Sequence, residues 1–457
     1  MKGNYMLQGY LSILLAALLV LLVRQISGDS TPGLDQIPGW SATDSLSAVQ
    51  AETPPDTVLH GEEAWEHWEE AGPQALDTTR GPLDRFFAAL ERLRKDKTRK
   101  VRIGYFGDSM IEGDLVTQSL RNDLQARYGG EGVGFVPIVS HTYSFRKSIR
   151  HRFSSDWRDF SFLHIQQPSH PFGISGEFFL TSRPGSASKS WVSYEGVDLY
   201  AGTQTFQQVR LLYGPPGQPV KIAPSVQVET DSGTTTAPLP AGQLINTLLL
   251  ADKPTTEVRC GFNIPGDMPI YGFSFESPSG VFVDNFSSRG NSGMNLIEIP
   301  GEVLAQFQQH MQYDLIVLHF GLNVVAPQRR SFASYERAMI RVVDHFRTHM
   351  PGADILIVSV GDKSTRIGGV MQTDPSVPLI VEAQRRVADE RHTGFVDLYR
   401  GMGGRNAMIR WVEGDPSLAN NDYTHPNRAG AERVSNIVRQ HILQGVQLPE
   451  GELSLRK

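Results

Sequence analysis

The chain contains one cysteine, Cys260, among 457 residues. A single thiol excludes an intramolecular disulfide and leaves no basis for a thiolate zinc site or an iron–sulfur cluster. Cys260 lies between β-type segments with no motif around it and reads as a small buried hydrophobe. The chain also lacks a dominant charge: 43 Lys and Arg against 49 Asp and Glu give a formal net charge of −6. Such a balance offers no electrostatic footprint for nucleic acid. A phosphate-binding loop is absent as well. The glycine-rich stretch Gly129-Gly130-Glu131-Gly132-Val133-Gly134-Phe135 lacks a Gly-Lys-Ser/Thr ending and follows a helical pattern rather than a strand. No internal repeats are visible. Hydrophobic residues at 40% and charged residues at 20% are ordinary for a globular chain with ample material for a core.

What is present begins at the N-terminus. Lys2 precedes an apolar run from Tyr10 to Val23, which with Met6 and Leu7 approaches the roughly 20 residues that span a bilayer. The following Arg24-Gln25-Ile26-Ser27-Gly28 is a poor cleavage site. Residues 1–27 therefore read as a membrane-anchor helix of the uncleaved signal type, with a cleaved signal peptide as the alternative. Either exports the rest of the chain, leaving it inner-membrane-anchored or soluble in the periplasm or cell envelope. Residues 28–80 read as a flexible stalk, rich in Ser, Thr, Pro, Asp and Gly as far as about Leu59, with a short helix within His60–Ala71.

The next residues carry alternating signals. Leu83, Phe86, Phe87, Leu90 and Leu93 recur at helical spacing. Val101–Phe106 is a short strand that ends at Gly107-Asp108-Ser109 and gives way to a helical pattern over Leu115–Tyr128, the opening of an α/β unit. Short β-type runs follow, among them Phe178–Leu180, Trp191–Tyr194, Gln208–Tyr213 and Ser225–Val228. Turns such as Gly214-Pro215-Pro216-Gly217 and Asp231-Ser232-Gly233 separate them. This spacing predicts an all-β sandwich over 151–285. Tyr313–Phe320 and Asp354–Val360 are then continuous apolar strands, as in a parallel sheet covered on both faces. Helical patterns at Phe332–Met350, Pro378–Glu390 and Ala429–Leu443 alternate with them. The expected fold is a three-layer α/β/α parallel-sheet domain, built from 81–150 and 286–445 and interrupted by the β-sandwich, with 446–457 as a tail.

Four segments carry chemistry. Ser109 follows a strand at a sharp turn, which presents its hydroxyl at the carboxyl edge of the sheet, where open α/β sheets bind ligands. Gly-Asp-Ser by itself is weak, since Gly28-Asp29-Ser30 repeats it in the stalk with no strand before it. In Asp422-Tyr423-Thr424-His425 an Asp three residues before a His can hold the ring's Nδ1–H and leave Nε2 to take a serine proton. Asn323, in Gly321-Leu322-Asn323 after a central strand, can donate its amide N–H to an oxyanion. In Ser288-Arg289-Gly290-Asn291-Ser292-Gly293 a glycine lets a backbone N–H approach substrate, and Gly290 and Gly293 are both candidates.

In chain order Ser109, Gly290, Asn323 and His425 resemble the signature positions of the SGNH, or GDSL-type, hydrolases over roughly 99–145 and 286–444. The resemblance implies Ser109 as nucleophile, with Asp422 and His425 completing the triad. It also implies an oxyanion hole made by the amides of Ser109 and Gly290 and the Asn323 side chain. No metal or organic cofactor is implied. The inserted β domain and the glycine-rich stretch after the serine resemble bacterial peptidoglycan O-acetylesterases, whose insert is like a carbohydrate-binding module. Met110, where those esterases often carry His, and Val324-Val325, where many relatives have an acidic residue, depart from the pattern. The implied activity is removal of O-acetyl or other O-acyl groups from a cell-wall or envelope polysaccharide. An O-acetyltransferase using the same triad and a non-catalytic envelope-binding protein are the alternatives. Trp157 and Trp191 in the insert are candidates for stacking on sugar, although such rings are more often core than platform.

Overall fold

Three uninterrupted apolar runs, Ile103–Phe106, Val281–Val283 and Leu315–Leu318, are buried on both faces and lie side by side in one parallel sheet. A computed structural model describes residues 83–444 except 166 and 183–189. The expected anchor or signal peptide, the stalk with its helix, and the tail lie outside the described residues. Among the described residues no helix is long and apolar enough to cross a membrane.

The sheet has strands β1 (Lys100–Gly107), β2 (Gly280–Ser287), β3 (Tyr313–His319), β4 (Asp354–Val358) and β5 (Gly394–Val396), in the order β2-β1-β3-β4-β5. All neighbouring pairs are parallel. Helices α1 (Asp84–Asp96), α2 (Thr117–Tyr128), α3 (Gly301–Met311), α4 (Ala333–His349), α5 (Val377–Glu390), α6 (Leu398–Met402), α7 (Ala407–Glu413) and α8 (Arg428–Gln444) connect and flank the strands. They fall into two packed groups: α8 lies against α2 and α2 against α1, while α4 lies between α3 and α5. Spacing explains how they pack. In α4 the buried residues Tyr335, Ala338, Met339, Val342, Val343 and Phe346 recur every three or four positions and form one apolar stripe.

The β insert has two antiparallel sheets. One runs 246–251, 208–213, 270–276, 177–180, 158–161, with 134–136 also paired to 270–276. The other runs 150–153, 191–195, 257–263, 225–230, 233–238. Val209, Leu211 and Phe273 of the first and Val192, Val258 and Cys260 of the second close into one core. Residues of the first sheet whose side chains face the other way, Leu212 and Tyr271, join the core of the α/β domain. Tyr271 meets Phe307 of α3 with ring centroids 5.8 Å apart.

The hand-over between the domains sits elsewhere than the sequence pattern suggests. Gly134–Val136 pairs with the sandwich strand Ile270–Glu276, and residues 280–285 already belong to the parallel strand β2. The β-type run at Val281–Val283 satisfies either kind of sheet, so composition alone does not assign it. The glycine-rich stretch has a packing role here: a Cβ on Gly132 would lie 2.3 Å from the Phe275 carbonyl oxygen. The junction also buries Arg102 of β1, which pairs with Asp284 of β2 at 2.9 Å and with Glu276 of the sandwich.

Candidate active site

The parallel register places Gly107, at the end of β1, opposite Ser287 of β2 on one side and His319 of β3 on the other. The loops that leave these three strands therefore rise from one edge of the sheet. They carry Ser109, Gly290 and Asn323 respectively, and the 422–425 turn before α8 meets them.

Ser109 opens a 3₁₀ turn over Ser109–Asp114, and α2 follows from Thr117 rather than from Leu115. Its Oγ lies 2.8 Å from Nε2 of His425. The His425 Nδ1 lies 2.8 Å from Asp422 Oδ2. This bond places the ring proton on Nδ1 and leaves Nε2 as the acceptor for the serine hydroxyl. Asp422 Oδ1 accepts the backbone amides of Thr424 and His425, both at 3.0 Å. Partial burial raises the Asp422 carboxyl's affinity for a proton, but hydrogen bonds from the His425 amide and ring and from the Thr424 amide outweigh it. The carboxyl is held below its ordinary range and is ionised at neutral pH.

Asp108 sits beside the serine but makes no hydrogen bond to His425. It is 1% exposed, and its Oδ1 accepts the Met110 amide at 3.0 Å, capping the 3₁₀ turn. Its Oδ2 accepts from Nδ2 of Asn323 at 3.3 Å. Burial pushes this carboxyl up to about 7, against the opposing pull of the Met110 amide and the His425 charge. The same Asn323 Nδ2 donates to the carbonyl oxygen of Asn291 at 2.9 Å. Asn323 thus joins the loops after β1 and β2.

The two candidate glycines differ. Gly293 is buried, its amide donates to Asn291 Oδ1 at 2.8 Å, and a Cβ there would strike the Phe320 ring at 2.9 Å. Gly290 is exposed, its amide makes no hydrogen bond to another described residue, and a Cβ there would meet nothing within 4 Å. Only Gly290 has an amide available to a substrate. Beside the triad a cavity lined by Asp108, Met110, His319, Leu322, Asp362 and Thr424 has a volume of about 10 Å³, room for about one water.

Residues 274–433 match the GDSL-like lipase/acylhydrolase family model. Those residues form a GDSL-like lipase/acylhydrolase domain. The matched span contains Gly290, Asn323, Asp422 and His425, and the insert separates it from Ser109. This hydrolase shares its fold with a peptidoglycan O-acetylesterase, at 20% identity and a TM-score of 0.63, covering 80% of this chain and 97% of that one. An acetylxylan esterase from Geobacillus stearothermophilus is 18% identical over 37% of this chain and 74% of that one, with a TM-score of 0.29. A second acetyl xylan esterase is 15% identical over 35% of this chain and 79% of that one, with a TM-score of 0.26. No curated protein matches the chain.

Several contacts were not foreseen. The Asp108–Asn323 bond and the Arg289–Glu112 ion pair both cross between loops far apart in sequence. No local pattern marks such pairs. Of the two readings for Trp157 and Trp191, core and sugar platform, Trp157 takes the first. Trp157 is buried, donates its indole N–H to the Trp191 carbonyl oxygen at 3.0 Å and packs edge-on against Phe262. Trp191 is covered by the Arg259 guanidinium, 3.8 Å from its ring centroid. The insert's sandwich core claims the first ring, and a cation covers one face of the second.

Proposed function

We propose that this hydrolase removes O-linked acetyl groups from a polysaccharide of the cell envelope, peptidoglycan foremost, through an acyl-enzyme on Ser109. The Ser109–His425–Asp422 relay, with both hydrogen bonds at 2.8 Å, carries this reading. Ser109 Oγ attacks the ester carbonyl carbon as its proton passes to His425 Nε2. The carbonyl oxygen becomes an oxyanion held by the Ser109 and Gly290 amides and by the Asn323 Nδ2–H that turns to it from its longer, 3.3 Å bond to Asp108. Collapse expels the sugar oxygen, which takes the proton from His425. Water then adds to the acyl carbon, again losing its proton to His425, and acetate leaves as Ser109 regains its hydrogen. Asp422 keeps the ring oriented and stabilises the imidazolium.

One observation favours water as acceptor. His425 and Asp422 keep 33% and 48% of their side-chain surface exposed, so water reaches the acyl-serine. The polysaccharide assignment draws on the fold shared with a peptidoglycan O-acetylesterase. The apolar N-terminal run, read as a signal anchor or signal peptide, would put the enzyme on the outer side of the inner membrane with that substrate. The test is acetate release from O-acetylated peptidoglycan by the full chain and by Ser109→Ala. Release by the wild type alone supports the proposal, and equal release by both would overturn it. Transfer of acetyl to an added sugar acceptor in place of acetate release would favour the transferase.

A further inference from the structure

Most aromatic rings among the described residues are packed inside the protein. Among the described residues the aromatic side chains that stand out as exposed are Tyr143 at 46% and Phe145 at 62%. They share one turn, and that turn is held in place rather than loose. Thr142 O accepts the amides of Phe145 at 2.9 Å and Arg146 at 3.2 Å. Arg146 and Ser148 then donate to the buried Asp114 carboxylate at 3.3 and 2.5 Å. The Tyr143 ring rests edge-on against Phe153, with centroids 5.4 Å apart.

The turn lies against the nucleophile loop. A Cβ on Gly113 would sit 3.2 Å from Phe145 Cβ, and Gly113 is in the same 3₁₀ turn as Ser109. Its neighbour Glu112 pairs with Arg289, next to Gly290. Phe145 therefore stands on the rim that the serine loop and the glycine loop form together. Leaving aromatic rings in water on a fixed backbone forgoes the benefit of burial, and such a surface marks a binding site. A ring already ordered also loses little freedom when a ligand covers it.

Resting on the esterase reading above, we infer that Tyr143 and Phe145 form a platform for a pyranose ring of the polysaccharide next to the ester bond. The C–H face of a sugar stacks on a flat aromatic surface, and the Tyr143 hydroxyl adds a hydrogen-bonding group for sugar hydroxyls. This gives the polymer a hold that a small ester lacks. The platform stands where Trp157 and Trp191 do not.

The experiment compares kcat/KM on O-acetylated peptidoglycan with kcat/KM on p-nitrophenyl acetate for the full chain and its variants. In Phe145→Ala the ratio of polymer to small ester falls about tenfold, mainly through KM for the polymer, as expected for loss of one stacking partner. Tyr143→Ala lowers it less. Phe145→Tyr keeps the ratio, and Phe145→Leu, which keeps bulk without a flat face, loses it. An unchanged ratio in both alanine variants overturns the platform, as does a Leu variant that behaves like wild type. Co-sedimentation of Ser109→Ala with the polymer, weakened by adding Phe145→Ala, reads the platform without turnover. If wild type releases no acetate from the polymer, the substrate reading fails while this binding result still decides the platform. Binding of the turn to phosphatidylglycerol vesicles, or a dimer that Phe145→Ala dissociates, would assign the rings to a membrane or to a second copy and overturn the proposal.

Discussion

The two loops that bring Ser109 and His425 together are built by opposite means. The serine loop is wired into the interior. Asp108 and Asp114 on either side of it are each 1% exposed, and Asp114 takes two hydrogen bonds of 2.8 Å from Arg121. Arg121 also donates to the Val283 carbonyl oxygen of β2, and Asn285 of β2 donates to the Ile111 carbonyl oxygen. The histidine loop stands half in water, and its acid is held by bonds to residues two and three positions away. Ser109 is thus positioned by the tertiary structure, and the His425–Asp422 pair by its own turn. In the proposed mechanism, a fixed serine facing a self-contained His–Asp turn places accuracy at the nucleophile and access to water at the base.

The largest expected effect tests whether the two loops work as one unit. Ser109→Ala lowers kcat for p-nitrophenyl acetate by at least on the order of 10⁴-fold with an unchanged melting temperature. Retained activity would separate the loops and remove Ser109 from the chemistry. Asp422→Asn lowers kcat by roughly 10²- to 10⁴-fold, since the ring loses its fixed tautomer. If Asp108→Asn proved the more damaging of the two, the acid would lie on the serine loop instead.

The contrast between the loops also predicts stability. Asp114→Ala leaves Arg121 and Arg146 buried without their carboxylate and costs about 3–5 kcal/mol, measured by urea denaturation. Asp422→Ala, in a half-exposed turn, costs under about 1 kcal/mol. Similar losses would erase the distinction. Gly290→Ala lowers kcat at little cost in stability, because its Cβ would point into open space. Gly293→Ala destabilises by about 1–3 kcal/mol through its contact with Phe320 and its φ of 90°. The reverse pattern would move the oxyanion amide to Gly293.

The last test is a pH dependence. Burial raises the folded Asp108 carboxyl to about 7, so between the ordinary carboxylate range near pH 4 and pH 7 the folded state holds more protons than the unfolded one. Wild type therefore loses stability relative to Asp108→Asn as pH rises across that window and no further above it. A flat difference in melting temperature from pH 4 to 8 would show that Asp108 is ionised throughout.

Much of the site was legible because its parts are local. Ser109 ends a strand, Asn323 follows one, and the Asp422–His425 spacing makes a turn without outside help. The ambiguity between Gly290 and Gly293 was not legible, because both are glycines with positive φ in one loop and only their neighbours tell them apart. The start of β2 was also hidden, since Val281–Val283 suits a sandwich strand and a parallel strand equally. The place of the aromatics was not legible for a related reason: composition shows that Trp157 and Trp191 exist, but not that a core takes one ring and an arginine covers a face of the other.

Local periodicity and turn chemistry determined the alternation of strands and helices, the presence of a β insert and the order of the functional residues along the chain. Those are properties of short stretches, written in neighbouring side chains. The tertiary structure decided the rest: which three strands stand side by side, and so which loops converge on Ser109. It also decided which carboxylates are buried with arginine and which rings remain open to solvent. Convergence depends on pairing between β1 and strands more than 170 residues further along, and no local pattern specifies partners at that distance.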